Sequence, residues 1–468
     1  MNKYKRLAKD YIVYMVGSFG NKLVSLVMVS FYTFKLTSEE YGNIDITLAT
    51  FSLLMPIISL CMHEAVLRFS IESPNDSFGV LTNALTSMVV CAIVFMPISI
   101  LFSYLGLIHS GLIITFFLIL CEGISLCLGQ YCRAINKQVA YAVSGIIGTF
   151  VLAGSNILIL NFFENKVHGY FFSIVLSYLV PSIYLFVASE AWKKIKIKNL
   201  DWSLYKNMAK YAIPLVPNSL LWWIMSVSDK YTILFFCGAA ANGLYGVAGK
   251  IPTILSTFTG TFMSAWRNSA ILEDKSEDKS QFQTKIFGLL SSFYFVSISG
   301  IFVVVKFVTR YLLGADYIDS WKYVPFLLLS AVFSGFSSFL GTEYLVTKRT
   351  GRSLKTTIFG ALLNVVLNIP LVYFIGINGA AVATMLSHFI TWVIRIRDTK
   401  DSLKITYNIK VIAISIALLF LQSGLLYITE DILQLVTGSI IFVIVVMINF
   451  KELRPVFAKF ETIILKKG

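Results

Sequence analysis

Long apolar stretches separated by short polar connections make up most of this 468-residue chain. A hydrocarbon core about 30 Å thick requires roughly 20 apolar residues per helix, and lipid offers no hydrogen bonds to backbone groups. The pattern therefore predicts an all-α polytopic membrane protein with about 14 transmembrane helices. The predicted spans are 11–34, 46–67, 79–103, 107–128, 139–161, 167–190, 211–236, 244–266, 286–309, 323–347, 356–375, 379–394, 411–428 and 433–450.

The composition agrees with this interpretation: 57% of the residues are hydrophobic, 14% are charged, and the mean hydropathy is +0.76. The basic start MNKYKRLAK resembles that of a signal peptide. However, the apolar stretch after it is longer than an h-region of roughly 7–15 residues, and no A-x-A site follows. We therefore expect the first span to be retained. The short span 379–394 is expected to end within the basic stretch that follows it.

Lysine and arginine are distributed very unequally between the two sets of connections. With the N-terminus in the cytoplasm, thirty-one of them fall in the inside set and five in the outside set. Three more lie within spans. This asymmetry follows the positive-inside rule and predicts that both termini are cytoplasmic. It also accounts for the net charge of +14, so the basic composition does not indicate a nucleic-acid partner.

Motifs for several other functions are absent from the sequence. The six cysteines form no C-x-x-C pair, so neither a zinc site nor a disulfide framework is predicted. The chain contains no G-x-x-x-x-G-K-[ST] segment, and His63-Glu64 is not followed by the second histidine of H-E-x-x-H. The connections are short. We therefore predict no enzymatic activity, no metal site and no cofactor. A membrane enzyme would require a carboxylate cluster outside, for which Glu430-Asp431 and Asp316/Asp319 are the candidates.

An internal repeat divides the chain into two halves of six helices. Tyr41-Gly42 and Asn242-Gly243 occupy similar positions after the first and seventh spans. Further pairs occur at an offset of 212, which then shortens by two: Gly129/Gly341, Lys137/Arg349, Gly148/Gly360, Asn156/Asn368, Gly169/Gly379 and Ser177/Ser387. Parallel repeats of this kind commonly have the substrate path between them. The predicted divisions are an N-lobe (1–190), a basic cytoplasmic linker (191–210), a C-lobe (211–398) and two further helices with a tail (399–468).

Charged residues inside predicted spans are candidates for function, because a charge at membrane depth is costly. The basic candidates are Lys22, Lys230 and Lys250, and the acidic ones are Asp229, Glu64 and Glu122. Lys22 is near the middle of its span, so we expect it to face an aqueous cavity or to pair with an acid. Lys250 is a candidate partner for Asp229. Glu64 and Arg68 are four residues apart and are expected to form a local pair.

Three segments carry a resemblance to a known family. They are GALLNVVLNIPLVYFIGINGAAVATMLS (from Gly360), SDKYTILFFCGAAANGLYGVAGKIPTIL (from Ser228) and LTSEEYGNID (from Leu36). These segments, together with the helix count and the repeat, resemble Wzx-type polysaccharide flippases of the multidrug/oligosaccharidyl-lipid/polysaccharide exporter superfamily. The resemblance implies two six-helix bundles around a central cavity and alternating access. It also implies a bacterial inner-membrane protein that works beside a polysaccharide polymerase and a chain-length regulator.

The resemblance implies that the cargo is an undecaprenyl-diphosphate-linked oligosaccharide, moved to the outer leaflet for O-antigen, capsule or exopolysaccharide assembly. Lys22, Lys230 and Lys250 would then contact the anionic headgroup. Asp229, Glu64 and Glu122 would form ion pairs or couple transport to protons or sodium. The alternative is an ion-coupled multidrug antiporter of the same superfamily, in which these acids would bind cationic drugs. The three lysines disfavour that alternative because they would repel such cargo.

Overall fold

The computed structural model describes residues 24–25, 27–193, 200–274, 276–347, 349–403 and 405–464. In the first half of these ranges the helices are α1 (27–35), α2 (Ser38–Ile58), α3 (Met62–Glu72), α4 (Ser77–Tyr104), α5 (Leu112–Ala134), α6 (Gln138–Ile159), α7 (Lys166–Ala188) and α8 (Trp202–Ala212). In the second half they are α9 (Leu215–Cys237), α10 (Ala239–Ala248), α11 (Lys250–Leu272), α12 (Lys279–Leu312), α13 (Val324–Val346), α14 (Thr350–Ile375), α15 (Ile377–Thr399), α16 (Ile409–Ile428) and α17 (Asp431–Ile464).

The prediction of an all-α polytopic membrane protein is confirmed. Eleven helical segments in the described residues are long and apolar enough to cross a membrane, and they match the predicted spans 2–6 and 9–14. The first predicted span lies mostly outside the described residues. The seventh and eighth predicted spans are helical but are not among the eleven. Helix α15 continues to Thr399, which confirms that the twelfth span ends within the basic stretch.

The second predicted span starts too late and misses a break. Thr37 and Glu40 form a capping box, in which the backbone N–H of Glu40 donates to Thr37 Oγ1 at 3.2 Å and that of Thr37 donates to Glu40 Oε2 at 2.8 Å. This cap starts α2 at Ser38, so Asp45 lies inside a helix and not in an outside loop. Leu60 and Cys61 then adopt left-handed backbone angles, φ 49° and 52°, and separate α2 from α3.

The eighth predicted span is also two helices, because α10 ends just before Gly249 and α11 begins at Lys250. The predicted linker contains a helix of its own, α8. Asp201 caps its start by accepting the backbone N–H of Ser203 at 2.8 Å. Helix α8 packs against α3 and α4, so this part of the linker is folded onto the first half of the chain.

The described residues form two compact units, divided between Gly243 and Leu244. This division does not coincide with the predicted linker at 191–210, because α9 packs against α2 and is therefore counted with the first six predicted spans. The lobes inferred from the repeat thus stay a prediction.

Each unit nevertheless contains a pair of helices related by the repeat. A Cβ added to Gly148 of α6 would lie 3.0 Å from the carbonyl oxygen of Ser177 on α7. A Cβ added to the repeat-related Gly360 of α14 would lie 2.3 Å from Thr391 Oγ1 on α15. In both pairs a glycine permits close approach of the following helix. This similarity supports the internal repeat.

Three of the basic residues in the predicted outside connections have specific partners. Lys166 Nζ donates to the carbonyl oxygen of Lys35 at 2.7 Å, and Lys306 Nζ donates to that of Thr429 at 2.9 Å. Both acceptors are at or just beyond the C-terminus of a helix, where carbonyl groups lack partners within the helix. Lys322 Nζ lies 3.0 Å from Asp319 Oδ2. These exceptions to the charge asymmetry therefore stabilise helix ends or form local ion pairs.

Buried amide side chains attach the last two helices to α12. Gln422 Nε2 on α16 donates to the carbonyl oxygens of Ser299 at 3.0 Å and Gly438 at 3.1 Å. Asn449 on α17 donates to Ser415 Oγ at 3.0 Å and accepts from Ser292 Oγ at 3.0 Å. Hydrogen bonds of this kind between helices fix their register in an apolar surrounding. We refer to these contacts as the amide ladder.

Candidate transport site

An ion pair between α2 and α9 is the central polar feature of the first unit. Lys230 Nζ lies 2.8 Å from both Oδ1 and Oδ2 of Asp45. The Asp45 side chain is only 7% exposed and that of Lys230 is 25% exposed. Because a buried charge is costly without a partner, the two opposite charges offset each other at this depth.

Further hydrogen bonds connect the same helices on both sides of this pair. The hydroxyl groups of Thr50 and Tyr231 lie 2.8 Å apart, and Trp223 Nε1 donates to the carbonyl oxygen of Ala49 at 2.8 Å. Asn242 Nδ2 on α10 donates to the carbonyl oxygen of Gly42 at 3.2 Å. We call this set of contacts between α2 and α9–α10 the α2 seam.

Two glycines make the α2 seam unusually close. A Cβ built on Gly42 would lie 1.9 Å from the carbonyl oxygen of Ala239, and one built on Gly243 would lie 2.0 Å from that of Ser38. Each added Cβ would also lie 3.0–3.1 Å from the other glycine's backbone nitrogen. No side chain fits at either position without movement of the backbone. The two glycines are also the repeat-related residues identified in the sequence, so equivalent positions of the two halves meet here.

The predicted site residues lie in different environments. Lys22 lies outside the described residues. Asp229 accepts the backbone N–H of Lys230 through Oδ1 at 3.0 Å, one residue from the ion pair. Its predicted pairing with Lys250 stays a prediction. Lys250 is the first residue of α11 and is partly exposed within its own unit.

The other two acids are on separate helices. The expected pair between Glu64 and Arg68 is wrong: Arg68 Nε donates to Glu72 Oε1 at 2.9 Å, and Glu64 lies 3.5 Å from His63 Nε2. Arg68 therefore pairs with the acid toward the end of α3. Glu122 lies near the middle of α5 and forms a hydrogen bond with Tyr178 on α7.

Helix α11 continues from Lys250 with a polar exposed face. Between Thr253 and Arg267 the exposed positions are Thr253, Ser256, Gly260, Ser264 and Arg267, and the exposed Ile271 and Leu272 follow at the end of the helix. The first five recur every three or four residues and therefore share one side of the helix. By contrast, the exposed positions of α14 are mainly apolar and include Leu362, Val366 and Ile369. A polar face over a length comparable to the hydrocarbon core is suited to water rather than to lipid.

The sequence interpretation missed two residues of this arrangement. Asp45 was placed in the first outside connection, although the capping box at Thr37 and Glu40 was a signal that the helix begins before it. Arg267 was counted with the cytoplasmic connections, because the hydrophobic pattern places the end of the eighth span before it. The end of α11 at Leu272 brings Arg267 onto the polar face of that helix.

Comparison with known proteins adds independent findings. The family model described as "Polysaccharide biosynthesis protein" matches residues 7–266. Protein 1 of the Lsg locus of Haemophilus influenzae is 22% identical to this chain over 341 residues, which cover 70% of this chain and 82% of that protein.

Solved transporter structures share the fold. The Lipid II flippase MurJ, in an inward closed conformation, superposes with a TM-score of 0.70 and 17% identity, covering 94% of this chain and 99% of that one. An inward-facing multidrug resistance MATE family transporter of the MOP superfamily superposes with a TM-score of 0.65 and 13% identity, covering 83% and 97%.

Proposed function

Because the chain belongs to the polysaccharide biosynthesis protein family, whose model matches more than half of it, we propose that it is a flippase for lipid-linked oligosaccharides. It moves undecaprenyl-diphosphate-linked repeat units from the cytoplasmic to the outer leaflet by alternating access. The units serve O-antigen, capsule or exopolysaccharide assembly. The family match is the observation that carries this proposal. The fold shared with a protein named a lipid flippase supports it.

Basic residues offset the charge of the cargo. The diphosphate loses part of its hydration when the headgroup enters the membrane, and charge-assisted hydrogen bonds from lysine replace it. In this proposal Lys22, Lys230 and Lys250 contact the headgroup. Arg267, on the exposed face that begins with Lys250, is a further basic residue for this contact.

In this mechanism Lys230 has two alternative partners, Asp45 and the diphosphate of the cargo. With the α2 seam closed, Asp45 neutralises it. When the diphosphate arrives, its oxygens compete with Asp45 for the ammonium group, and the seam opens as the pair separates. Because a ligand shifts a conformational equilibrium only by binding one state better than the other, this competition couples cargo binding to opening.

Acidic residues provide the coupling in this proposal. Asp229 is beside the ion pair and positions Lys230, whereas Glu64 and Glu122 are within the first unit and exchange protons or bind sodium. No further cofactor is proposed. The protein lies in the bacterial inner membrane with both termini in the cytoplasm. It works with a polysaccharide polymerase and a chain-length regulator.

The second candidate function is an ion-coupled multidrug antiporter, which the likeness to the multidrug transporter fold favours. Cationic drugs would then contact Asp229, Glu64 or Glu122. The observed pairing of Lys230 with Asp45 makes this candidate more compatible with the structure than the sequence alone suggested, because a paired lysine repels a cation less strongly.

A deletion strain separates the two functions. Lipid-linked oligosaccharides are labelled, and the leaflet that holds them is determined with a membrane-impermeant reagent. A flippase predicts accumulation in the cytoplasmic leaflet and loss of surface glycan. Wild-type protein and Lys400→Ala, an exposed lysine of α15's C-terminal end, should restore the glycan, whereas Lys22→Ala and Lys230→Ala should not. Normal glycan with altered export of small cations would instead support the antiporter.

A further inference from the structure

The linker helix α8 has two contrasting faces. Met208 and Ala212 are fully buried, and the helix packs against α3 and α4. Trp202, Lys206 and Lys210 are exposed and recur every four residues, so they form one stripe on the opposite side. Trp202 is 76% exposed although it is a large aromatic residue, and its ring stacks on Tyr205 with 5.2 Å between centroids.

Contacts with α3 fix the level of this helix. The Tyr211 ring lies 6.1 Å from the Phe69 ring, and the Arg68 guanidinium lies 4.8 Å from the Tyr211 centroid. Arg68 and Phe69 belong to the predicted inside connection 68–78. Helix α8 therefore lies at the predicted cytoplasmic ends of α3 and α4, at the level where lipid headgroups begin.

The charge of the linker complements an anionic surface. Residues 192–210 contain six lysines and one acidic residue, Asp201. Lys206 and Lys210 form no ion pair with any residue that the structure describes. At the start of the linker Trp192 is 57% exposed and has the ammonium group of Lys193 above its ring at 5.3 Å. Exposed tryptophan beside lysine is typical of protein segments at the membrane–water interface.

We propose that the α8 stripe, formed by Trp202, Lys206 and Lys210, binds anionic phospholipid headgroups of the cytoplasmic leaflet. The lysines contact the lipid phosphates and Trp202 inserts at the headgroup level. This binding fixes α8 against the bilayer next to α9, which begins at Leu215 and carries Lys230. The lipid surface thereby restrains the helix that forms the α2 seam. The inference rests on the proposed topology but not on the identity of the cargo.

The test uses purified full-length protein in neutral detergent, titrated with phosphatidylglycerol or with phosphatidylcholine in the absence of any cargo. Bound lipid is counted by native mass spectrometry, and the thermal shift is measured in parallel. Lys206→Gln/Lys210→Gln should weaken phosphatidylglycerol binding about 25-fold, since each lysine near an anionic surface contributes about a fivefold effect. High salt should weaken the wild-type binding in the same way.

The matched control is Lys285→Gln/Lys410→Gln, which removes the same charge from two exposed lysines outside the linker. It should retain wild-type phosphatidylglycerol binding. Equal phosphatidylglycerol affinity of the two double variants would overturn the proposal, as would an equal response of wild-type protein to both lipids. Such a result would leave a protein partner as the occupant of the stripe.

A second measurement does not depend on the lysine variants. The fluorescence of Trp202 is obtained as the difference between wild type and Trp202→Phe. In nanodiscs that contain brominated phosphatidylglycerol, this Trp202 fluorescence should be strongly quenched. Absence of quenching would place Trp202 away from the bilayer and overturn the proposal. Neither measurement involves flipping, so failure of lipid binding is distinguishable from failure of the proposed transport function.

Discussion

Gly42 and Gly243 face each other across the α2 seam, and each occupies a position where an added Cβ would meet the backbone of the opposite helix. The arrangement is reciprocal, because a Cβ on Gly42 would meet Ala239, the first residue of α10, and a Cβ on Gly243 would meet Ser38, the first residue of α2. Close backbone approach of this kind lets helices associate where lipid removes most of the hydrophobic driving force. The seam thus depends on the absence of side chains at two positions.

Replacing either glycine with alanine should prevent the α2 seam from closing. The added Cβ at 1.9–2.0 Å from a carbonyl oxygen requires a backbone shift, and such overpacking typically costs about 1–3 kcal/mol. We expect Gly42→Ala and Gly243→Ala each to reduce restoration of surface glycan in the deletion strain. Gly154→Ala is the matched control, since nothing lies within 4 Å of a Cβ at that position of α6. Full activity of Gly42→Ala would show that the seam does not need to close.

Removal of one partner of the ion pair should reduce the stability of the protein more than removal of both. Asp45→Asn leaves the Lys230 charge poorly compensated at depth and should destabilise the protein by about 3–5 kcal/mol, whereas removal of both charges should cost less. The double variant Asp45→Asn/Lys230→Gln should therefore unfold at a higher temperature than Asp45→Asn alone. Thermal unfolding in detergent measures this difference.

Restoration of surface glycan distinguishes the structural role of Lys230 from its proposed contact with cargo. The double variant should regain stability but still fail to restore surface glycan, because the ammonium group is absent. Recovery of both stability and glycan would show that Lys230 serves only to neutralise Asp45.

The polar face of α11 should be accessible to water. In a background in which the native cysteines are replaced, Ser256→Cys and Ser264→Cys should react with a membrane-impermeant thiol reagent. Val366→Cys on α14 is the control; that position is 57% exposed on an apolar face and should be shielded by lipid. If all three cysteines reacted equally slowly, the face of α11 would be in contact with lipid or protein instead of water.

The amide ladder predicts a local loss of stability in the last two helices. Gln422→Leu leaves the carbonyl oxygens of Ser299 and Gly438 without their donor, and hydrogen bonds between membrane helices contribute about 0.6–1.7 kcal/mol each. We expect faster proteolysis of the segment after α15 and a lower unfolding temperature. Thr437→Val should have little effect, because the hydroxyl of this partly exposed residue bonds only to its own helix. Equal proteolysis of both variants would contradict a role for the ladder.

Predicted spans 3–6 and 9–14 were predictable because each depends on a local property, the length of an apolar stretch. The start of α2 was also local, but its signal lies in two polar side chains, Thr37 and Glu40, that a hydrophobicity pattern does not weigh. The partner of Lys230 was not predictable, because Asp45 is far away in sequence and only the packing of α2 on α9 brings them together. Similarly, the sequence shows that Gly42 and Gly243 are equivalent, but equivalence does not imply contact.

The reciprocity of the α2 seam has a bearing on how the duplicated chain arose. A contact in which equivalent residues of two copies meet is self-complementary, as in the interface of a two-fold symmetric homodimer. Glycine at this one position would have served both sides of such an interface. The glycine contact within the seam therefore requires nothing that two identical half-length proteins would lack, and fusion of their genes would preserve it.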